Sequence, residues 1–530
     1  MPGTYIFLFD SVGYQIAWVD SEGVENSPLC PWEFQDPHLL LGYIYSLYFP
    51  PHDHITADTS IHSPQKVGYK TAWTIDCAGQ RFTDCRRIFQ GGVWDRRTTV
   101  FESTGEQKDD FVIIKDSFGV DDNVMDEADY LRSIHEDGVV PGVVTMVECE
   151  NVTTVLDDGS LQPVKTAPPM DRMFEGEEVL DRIKQRLIMG SKGVTLSEAN
   201  SALDILMSVY DLLEILRWLT RKKKFLYRDV SNNNILMYPV HNKYVRDRSL
   251  VRDPPSLINR VLGLETGNVT IQSSRCLLID FDNTIPLLDE QTGEPPRELK
   301  RVTGTYPYIS RAVQRSAPLS NEDHVSLQFE KMPRLHGKVR QIYEKFYGKE
   351  NYEKYNDNED GTYHGGVLPE DPNSHFPSND EFYRQPRHDV ESVYRLLVAT
   401  LVRAAPPGRL ESENSHSLRE LGRYWAMFEG EPHHCTMNNI PRFEDVLHPS
   451  LRSLAPMLSS LTAQINPEYA YLIPPPPVDH LHEAFIRILL KEIVEMKDQG
   501  RAIPLEPRNE RPIIELNGRP RMMPLCVGTL

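Results

Sequence analysis

The sequence predicts an α+β protein built as two lobes with an extension in front. Two observations carry this. Up to about residue 190, short apolar runs alternate with polar residues at the period of strands, with few helix-like stretches between them. From about 191 onward, long apolar stretches recur at helical spacing instead. A chain of 530 residues holds more than one core. We therefore expect an extension over 1–85, a strand-rich lobe over 86–190 and a helical lobe over 191–530.

In order along the chain, "TYIFLF" and "YQIAWV" read as strands separated by a turn at Gly13. "PHLLLGYIYSLYF" (37–49) reads as a helix stopped by Pro50-Pro51. "GYKTAWTID" and "QRFTDCRRIF" are further strands. "TTVFES" and "DFVIIKDSF" form a hairpin across the polar "TGEQKDD". "MDEADYLRSIHE" (125–136) is an amphipathic helix with Leu131 and Ile134 on one side. "GVVTMVEC" and "KQRLIM" are strands, with the surface loop "LDDGSLQPVKTAPPMD" between them.

The helical part opens with "SALDILMSVYDLLEILRWLT" (201–220), apolar around most of its circumference and so expected to be buried. "DVESVYRLLVATLVRA" (389–404) and "VDHLHEAFIRILLKEIVEMKDQ" (478–499) are two more buried helices. The second follows Pro474 to Pro477, which reads as a rigid linker before a partner ligand. Polar inserts span about 239–272 and 311–388, and the part from 348 to 385 reads as exposed or disordered.

The net charge of −20 argues against a general nucleic-acid binder, which needs a basic face. The seven cysteines are scattered, without a Cys-x-x-Cys pair, so a reducing compartment is expected. No stretch has the apolar length of a membrane span, and the apolar run at the N-terminus is too short for a signal peptide. The expected location is intracellular, cytoplasm or nucleus, and the Asn-Val-Thr sites at Asn151 and Asn268 go unused. "HHC" at His433 to Cys435 reads as a surface turn in the absence of a second ligand pair.

The chemistry lies in an ordered set of residues. Phosphoryl transfer from ATP needs cations on the phosphates, carboxylate and amide oxygens for metal ions, and a carboxylate at the acceptor hydroxyl. Lys115 sits on the strand "VIIK" and can reach phosphates from a cleft. Glu127 lies on the next helix, where it can fix the direction of that lysine. In "FLYRDVSNNNILM", Asp229 and Asn234 are five residues apart, the spacing of a catalytic loop. Asp229 would orient the acceptor hydroxyl and Asn234 would bind Mg²⁺. "CLLIDFDNT" ends a strand with Asp280-Phe281-Asp282, and Asp280 is the second expected metal ligand. Each has an ordinary alternative when taken alone: a solvated lysine, an Asx-rich turn, a turn at a strand end. Their order along one chain is what points to transfer.

"YRDVSNNNIL", "LLIDFDNT", "TGTYPYIS" and "RHDVESVYRLL" together resemble the fungal-type protein kinase family, a branch of the protein-kinase-like fold. "IFQGGVWDRRTTVFES", "FVIIKDSF" and "DEADYL" agree with it, over roughly residues 1–405. The resemblance implies a two-lobed kinase fold and transfer from ATP with Mg²⁺ to serine or threonine of an unidentified protein substrate. It also implies nucleotide contacts from Lys115, Gly91, Gly92 and Met189. Tyr227 should pack under Phe281, Thr305 should contact Asp229, and Asp389 should hold the catalytic loop from below. Arg228 stands where a kinase pairs a phosphate on its activation segment, here Thr303 or Thr305.

The sequence departs from the kinase pattern at several points. Tyr227 replaces a histidine, Ser231 a lysine and Asp282 a glycine, and Asp282 should stiffen the segment. No G-x-G-x-x-G covers the phosphates. Ala312 replaces the glutamate of a buried ion pair that anchors the helical lobe. The inserts are candidates for binding regulators. The alternatives to an active kinase are a pseudokinase scaffold and a small-molecule phosphotransferase of the aminoglycoside-kinase kind.

Overall fold

The computed structural model describes residues 4–9, 13–20, 23–26, 30–31, 58–67, 70–91, 98–104, 110–120, 125–156, 158–165, 182–264, 270–288, 292–319, 330–356, 382–408, 415–429, 442–471 and 476–513. The helix expected over 37–49, Gly92, Asn268 and the His433–Cys435 turn lie outside them.

Sheet and helix share the chain as expected of an α+β protein. Thr4–Phe9, Gly13–Asp20, Gly23–Asn26 and Cys30–Pro31 form a small antiparallel sheet at the start. A seven-stranded sheet follows. Its spatial order is Met146–Asn151, Arg182–Met189, Phe111–Val120, Thr99–Thr104, Gln80–Gln90, Lys70–Cys77 and Ile61–Val67. Every pairing in it is antiparallel. The strand Gln80–Gln90 runs straight across position 85, so the sheet begins at Ile61 and takes in the end of the expected extension.

The alternation of a strand explains how one segment serves two surfaces. Successive side chains of Phe111–Val120 point to opposite faces. Ile113 and Lys115 line a cleft toward the helical part. Ile114 packs behind with Ile75, Cys85 and Phe101. Asp116 also faces the back, where it meets Arg186 at 2.7 Å and Lys184 at 2.7 Å. Asp58 closes this buried group on Arg186 at 2.7 Å, tying the segment ahead of the sheet to its centre.

The helical part is organised around Ala202–Trp218, capped at its N-terminus by the Ser201 side chain and buried at nearly every position. Pro386–Arg403, Ala455–Ile465 and His480–Asp498 pack with it in one continuous apolar core that reaches Leu187 and Met189 of the sheet. Ser415–Glu429 and Ala455–Ile465 are helices that sequence reading did not propose.

Both expected inserts contain packed structure. In the first, Lys243–Arg246 is a short helix, and Val245, Leu257, Ile258 and Val261 are buried. In the second, Gly337–Tyr347 and Lys349–Lys354 are helices, and Tyr343, Tyr352 and Tyr355 are buried. Residues 357–381 lie outside the described ones. No described helix is long and apolar enough to cross a membrane.

Candidate active site

Lys115 is the electrostatic centre of the cleft. Its Nζ donates to Glu127 Oε2 at 2.5 Å, Asp280 Oδ1 at 3.0 Å and Asp282 Oδ2 at 3.0 Å. Burial disfavours its charge, but Asp280, Asp282 and Glu127 more than offset this and hold its pKa well above the ordinary value. Burial pushes the Glu127 carboxyl in the opposite sense, up to about 7, against the pull of Lys115. Glu127 reaches Lys115 because it opens the helix Glu127–Ile134, whose N-cap is Asp126 accepting the Asp129 N–H at 2.9 Å. Its other oxygen accepts the Phe281 N–H at 3.0 Å. One carboxylate thus joins the lysine strand, the helix and the Asp280–Asp282 turn.

Asp282 had been expected to matter through the backbone freedom lost with glycine. Its carboxylate matters instead, as a third partner of Lys115. The backbone demand falls on Asp280, at φ 62, a left-handed conformation that Asp tolerates better than most residues.

The loop carrying Asp229 is held from three sides. Tyr227 packs edge-on against Phe281 with centroids 5.3 Å apart, and its hydroxyl donates to Ile279 O at 2.5 Å. Asp389 accepts the Arg228 N–H at 3.1 Å from below. Arg384 donates to Asp389 at 2.9 Å, to Arg228 O at 2.7 Å and to Thr303 O at 2.8 Å. Arg228 takes a strained φ of 71 and directs its guanidinium onto the Asn283 and Glu298 carbonyls at 2.6 and 2.8 Å. The expected partner of a phosphate therefore already holds main-chain oxygens.

Those contacts fix the Asp229 carboxylate. Oδ1 accepts both the Thr305 N–H and its hydroxyl at 2.8 Å. Oδ2 accepts the Asn283 amide at 3.1 Å. Gly304 makes the approach possible. Its φ is +116, and a Cβ there would sit 2.8 Å from Arg228 O. Asn234 Nδ2 donates to Asp229 O at 3.0 Å, spanning the loop.

The cleft above has a volume of about 160 Å³ and is lined by Lys115, Met189, Gly193, Asn234 and Asp280 among others. Gly91 donates its N–H to Thr98 O at 2.7 Å, extending the pairing of the two strands whose Phe89 and Thr98 line the cleft. Oxygen donors from Asp280 and Asn234 suit a hard divalent cation. Glu127, Asp280 and Asp282 bring carboxylate oxygens within 4.8 Å of one another. Lys115 alone does not neutralise three carboxylates, so the donor set fits a cation joining it.

Ala312 cannot form the anchoring ion pair of the kinase pattern, and the structure holds another beside it. Arg311 Nε donates to Glu391 Oε1 at 2.8 Å, and its NH2 group to Ile465 O at 2.7 Å. This pair is buried, so the helical part is anchored with an arginine on this segment. Three other partners went unread: Asn283, Arg384 and the lysine contact of Asp282. "RQPRHDV" and "DFDNT" contain them, but nothing in either run says which distant atom they touch.

The family model described as fungal protein kinase matches residues 18–400. No curated protein matches the chain.

Proposed function

The chain belongs to the fungal protein kinase family, and from that premise we propose a two-lobed kinase that transfers the terminal phosphate of ATP to serine or threonine hydroxyls of a protein. The observation carrying the proposal is the Asp229 carboxylate, fixed by Thr305 and Asn283 next to a cleft that holds Lys115, Asn234 and Asp280. A protein that only bound partners would have no need to orient this carboxylate.

In the proposed reaction, ATP lies in the cleft between the sheet and the helical part. Lys115 directs its ammonium at the phosphates, with Glu127 fixing its position. Asp280 and Asn234 would hold Mg²⁺, which when bound would neutralise charge on the phosphate oxygens. Asp229 orients the acceptor hydroxyl and takes its proton as the new oxygen–phosphorus bond forms and ADP departs. Both Asp229 oxygens already accept hydrogen bonds, so its direction is set before the acceptor arrives. The Gly304-Thr305 segment at Asp229 supports a polypeptide acceptor over a small molecule. We place the protein inside the cell, where ATP is available.

The test offers labelled ATP and Mg²⁺ with a serine- and threonine-containing basic protein in one arm and an aminoglycoside in the other. We expect label on hydroxyls of the protein. Label on the aminoglycoside alone would overturn the substrate class. Absence of both transfer and ATP-dependent thermal stabilisation would leave the scaffold reading.

A further inference from the structure

A second cavity, of about 320 Å³, lies beyond the loop that carries Asp229. Asn232 of that loop lines it, and so does Tyr308, three residues after the Thr305 that holds Asp229. An occupant would therefore sit a few residues along an acceptor chain from the reacting hydroxyl.

The cavity is closed by a strap near the C-terminal end of the described chain. On one side, Leu505 N donates to Asn200 O at 2.8 Å and Arg508 N to Ser197 O at 2.9 Å. On the other, Glu506 N donates to Ala405 O at 2.9 Å and Arg511 N to Arg403 O at 2.8 Å. Arg508, at φ 64, is pinned by Glu198 at 2.8 Å. The strap, Arg403 and Trp425 all lie outside residues 18–400, which the family match covers.

Two buried donors on the cavity wall lack partners among the described residues. Trp425 is 6% exposed and its indole Nε1 meets no acceptor among the described residues. Arg403 is 9% exposed, and its Nε is also without an acceptor. A buried N–H left unmade costs about 1–3 kcal/mol, so two on one wall call for an acceptor oxygen from outside. The same wall offers a site for a positive charge as well. Arg403 stacks over the Trp425 ring at 4.9 Å and pairs with Glu510. Glu506 is exposed on the cavity wall and, among the described residues, meets only neutral donors, the Asn509 amide at 2.9 Å and the Gly408 N–H at 3.4 Å. Among the described residues, the cavity thus carries one exposed carboxylate without a countercharge beside two buried donors without an acceptor.

We infer that this cavity binds the acceptor polypeptide through an arginine or lysine side chain on Glu506 and a neighbouring main-chain carbonyl on Trp425 and Arg403. Glu506 would be a specificity residue that selects acceptors with a basic residue near the phosphorylated hydroxyl. The inference rests on the kinase reading for the identity of the ligand as an acceptor.

The experiment uses the full chain and an otherwise neutral peptide with alanine at its centre. A single arginine is walked through the five positions on each side, with leucine in its place as the control. We expect arginine at one or two positions to tighten binding about tenfold over leucine, the effect of one close charge pair. Glu506→Gln should remove that difference, and Glu506→Lys should transfer the preference to a glutamate peptide at the same position. A merely structural Glu506 would not invert the preference. Equal binding of the arginine and leucine peptides, or a preference that survives Glu506→Gln, overturns the inference. The same series with serine at the centre separates the two readings. Glu506-dependent binding without phosphorylation keeps the cavity assignment and removes the kinase reading. Phosphorylation with no arginine preference at any position does the reverse.

Discussion

Asp229 has the same φ/ψ freedom as any aspartate in a loop, so its fixed direction comes from what its neighbours donate. Thr305 gives two donors to Oδ1 and Asn283 one to Oδ2. Thr305→Val removes the hydroxyl and keeps the N–H. At about 1.5–3 kcal/mol for one hydrogen bond to a charged group, transfer should fall roughly ten- to a hundredfold in kcat with ATP affinity unchanged. Steady-state kinetics of the variant check this. Gly304→Ala should be more damaging, since its Cβ would meet Arg228 O at 2.8 Å in a conformation that only glycine adopts freely. At this scale the sequence was informative wherever chemistry depends on spacing. Asp229 and Asn234 lie in one run, and Asp280 ends a strand. Asn283 and Arg384 were illegible because their value lies in contacts across 54 and 156 positions.

The elements around the site are joined by groups that water would otherwise satisfy. The helix Glu127–Ile134 ends at His135, whose Nδ1 accepts the Val140 N–H at 3.0 Å. Its Nε2 must then carry the proton toward Val144 O at 2.9 Å, so the ring is neutral. Burial pushes its pKa down to about 4, from 6.5. As pH falls, the unfolded chain takes up the proton first. The stability from this group is present above about 6.5 and is lost between about 6.5 and 4, amounting to about 3 kcal/mol. Melting temperatures across this range should fall less steeply with acid in His135→Gln than in the parent. Arg384 acts likewise between elements. Arg384→Leu strands Asp389 as a buried charge and should cost about 3–5 kcal/mol, measured by denaturant unfolding. The existence of these helices was legible from apolar periodicity. Their ends were less so: Pro386 starts a helix expected from Asp389, because proline fits the first turn of a helix.

Across the whole molecule, the division into a strand-rich first part and a helical second part followed from a change of period in the sequence. What did not follow was how firmly the polar stretches are built in. Arg217 of the central helix meets Glu483 at 2.8 Å and Asp479 at 3.1 Å. Glu483 also accepts from Arg487 at 2.7 Å and from the Tyr343 hydroxyl, and Tyr355 donates to Asp479 at 2.9 Å. Tyr343 and Tyr355 come from a stretch whose charged composition resembles solvent-exposed chain. Its tyrosines were the signal that it packs, and their distant ionic partners concealed it. Arg311 and Glu391 repeat the pattern at the other end of the helical part. Glu391→Ala should leave Arg311 buried without its countercharge and lower stability by about 3–5 kcal/mol, with a corresponding loss in melting temperature.

The most direct test of a phosphoryl-transfer centre at Asp229 compares Asp229→Asn with the parent for label passed from ATP to a serine- and threonine-containing protein. The amide keeps the shape of the side chain and removes its charge and its capacity to take a proton. We predict a loss of transfer on the order of 10²–10⁴-fold, with ATP and Mg²⁺ stabilising both proteins against heat to a similar degree. Transfer by Asp229→Asn at the parent's rate would contradict the assignment.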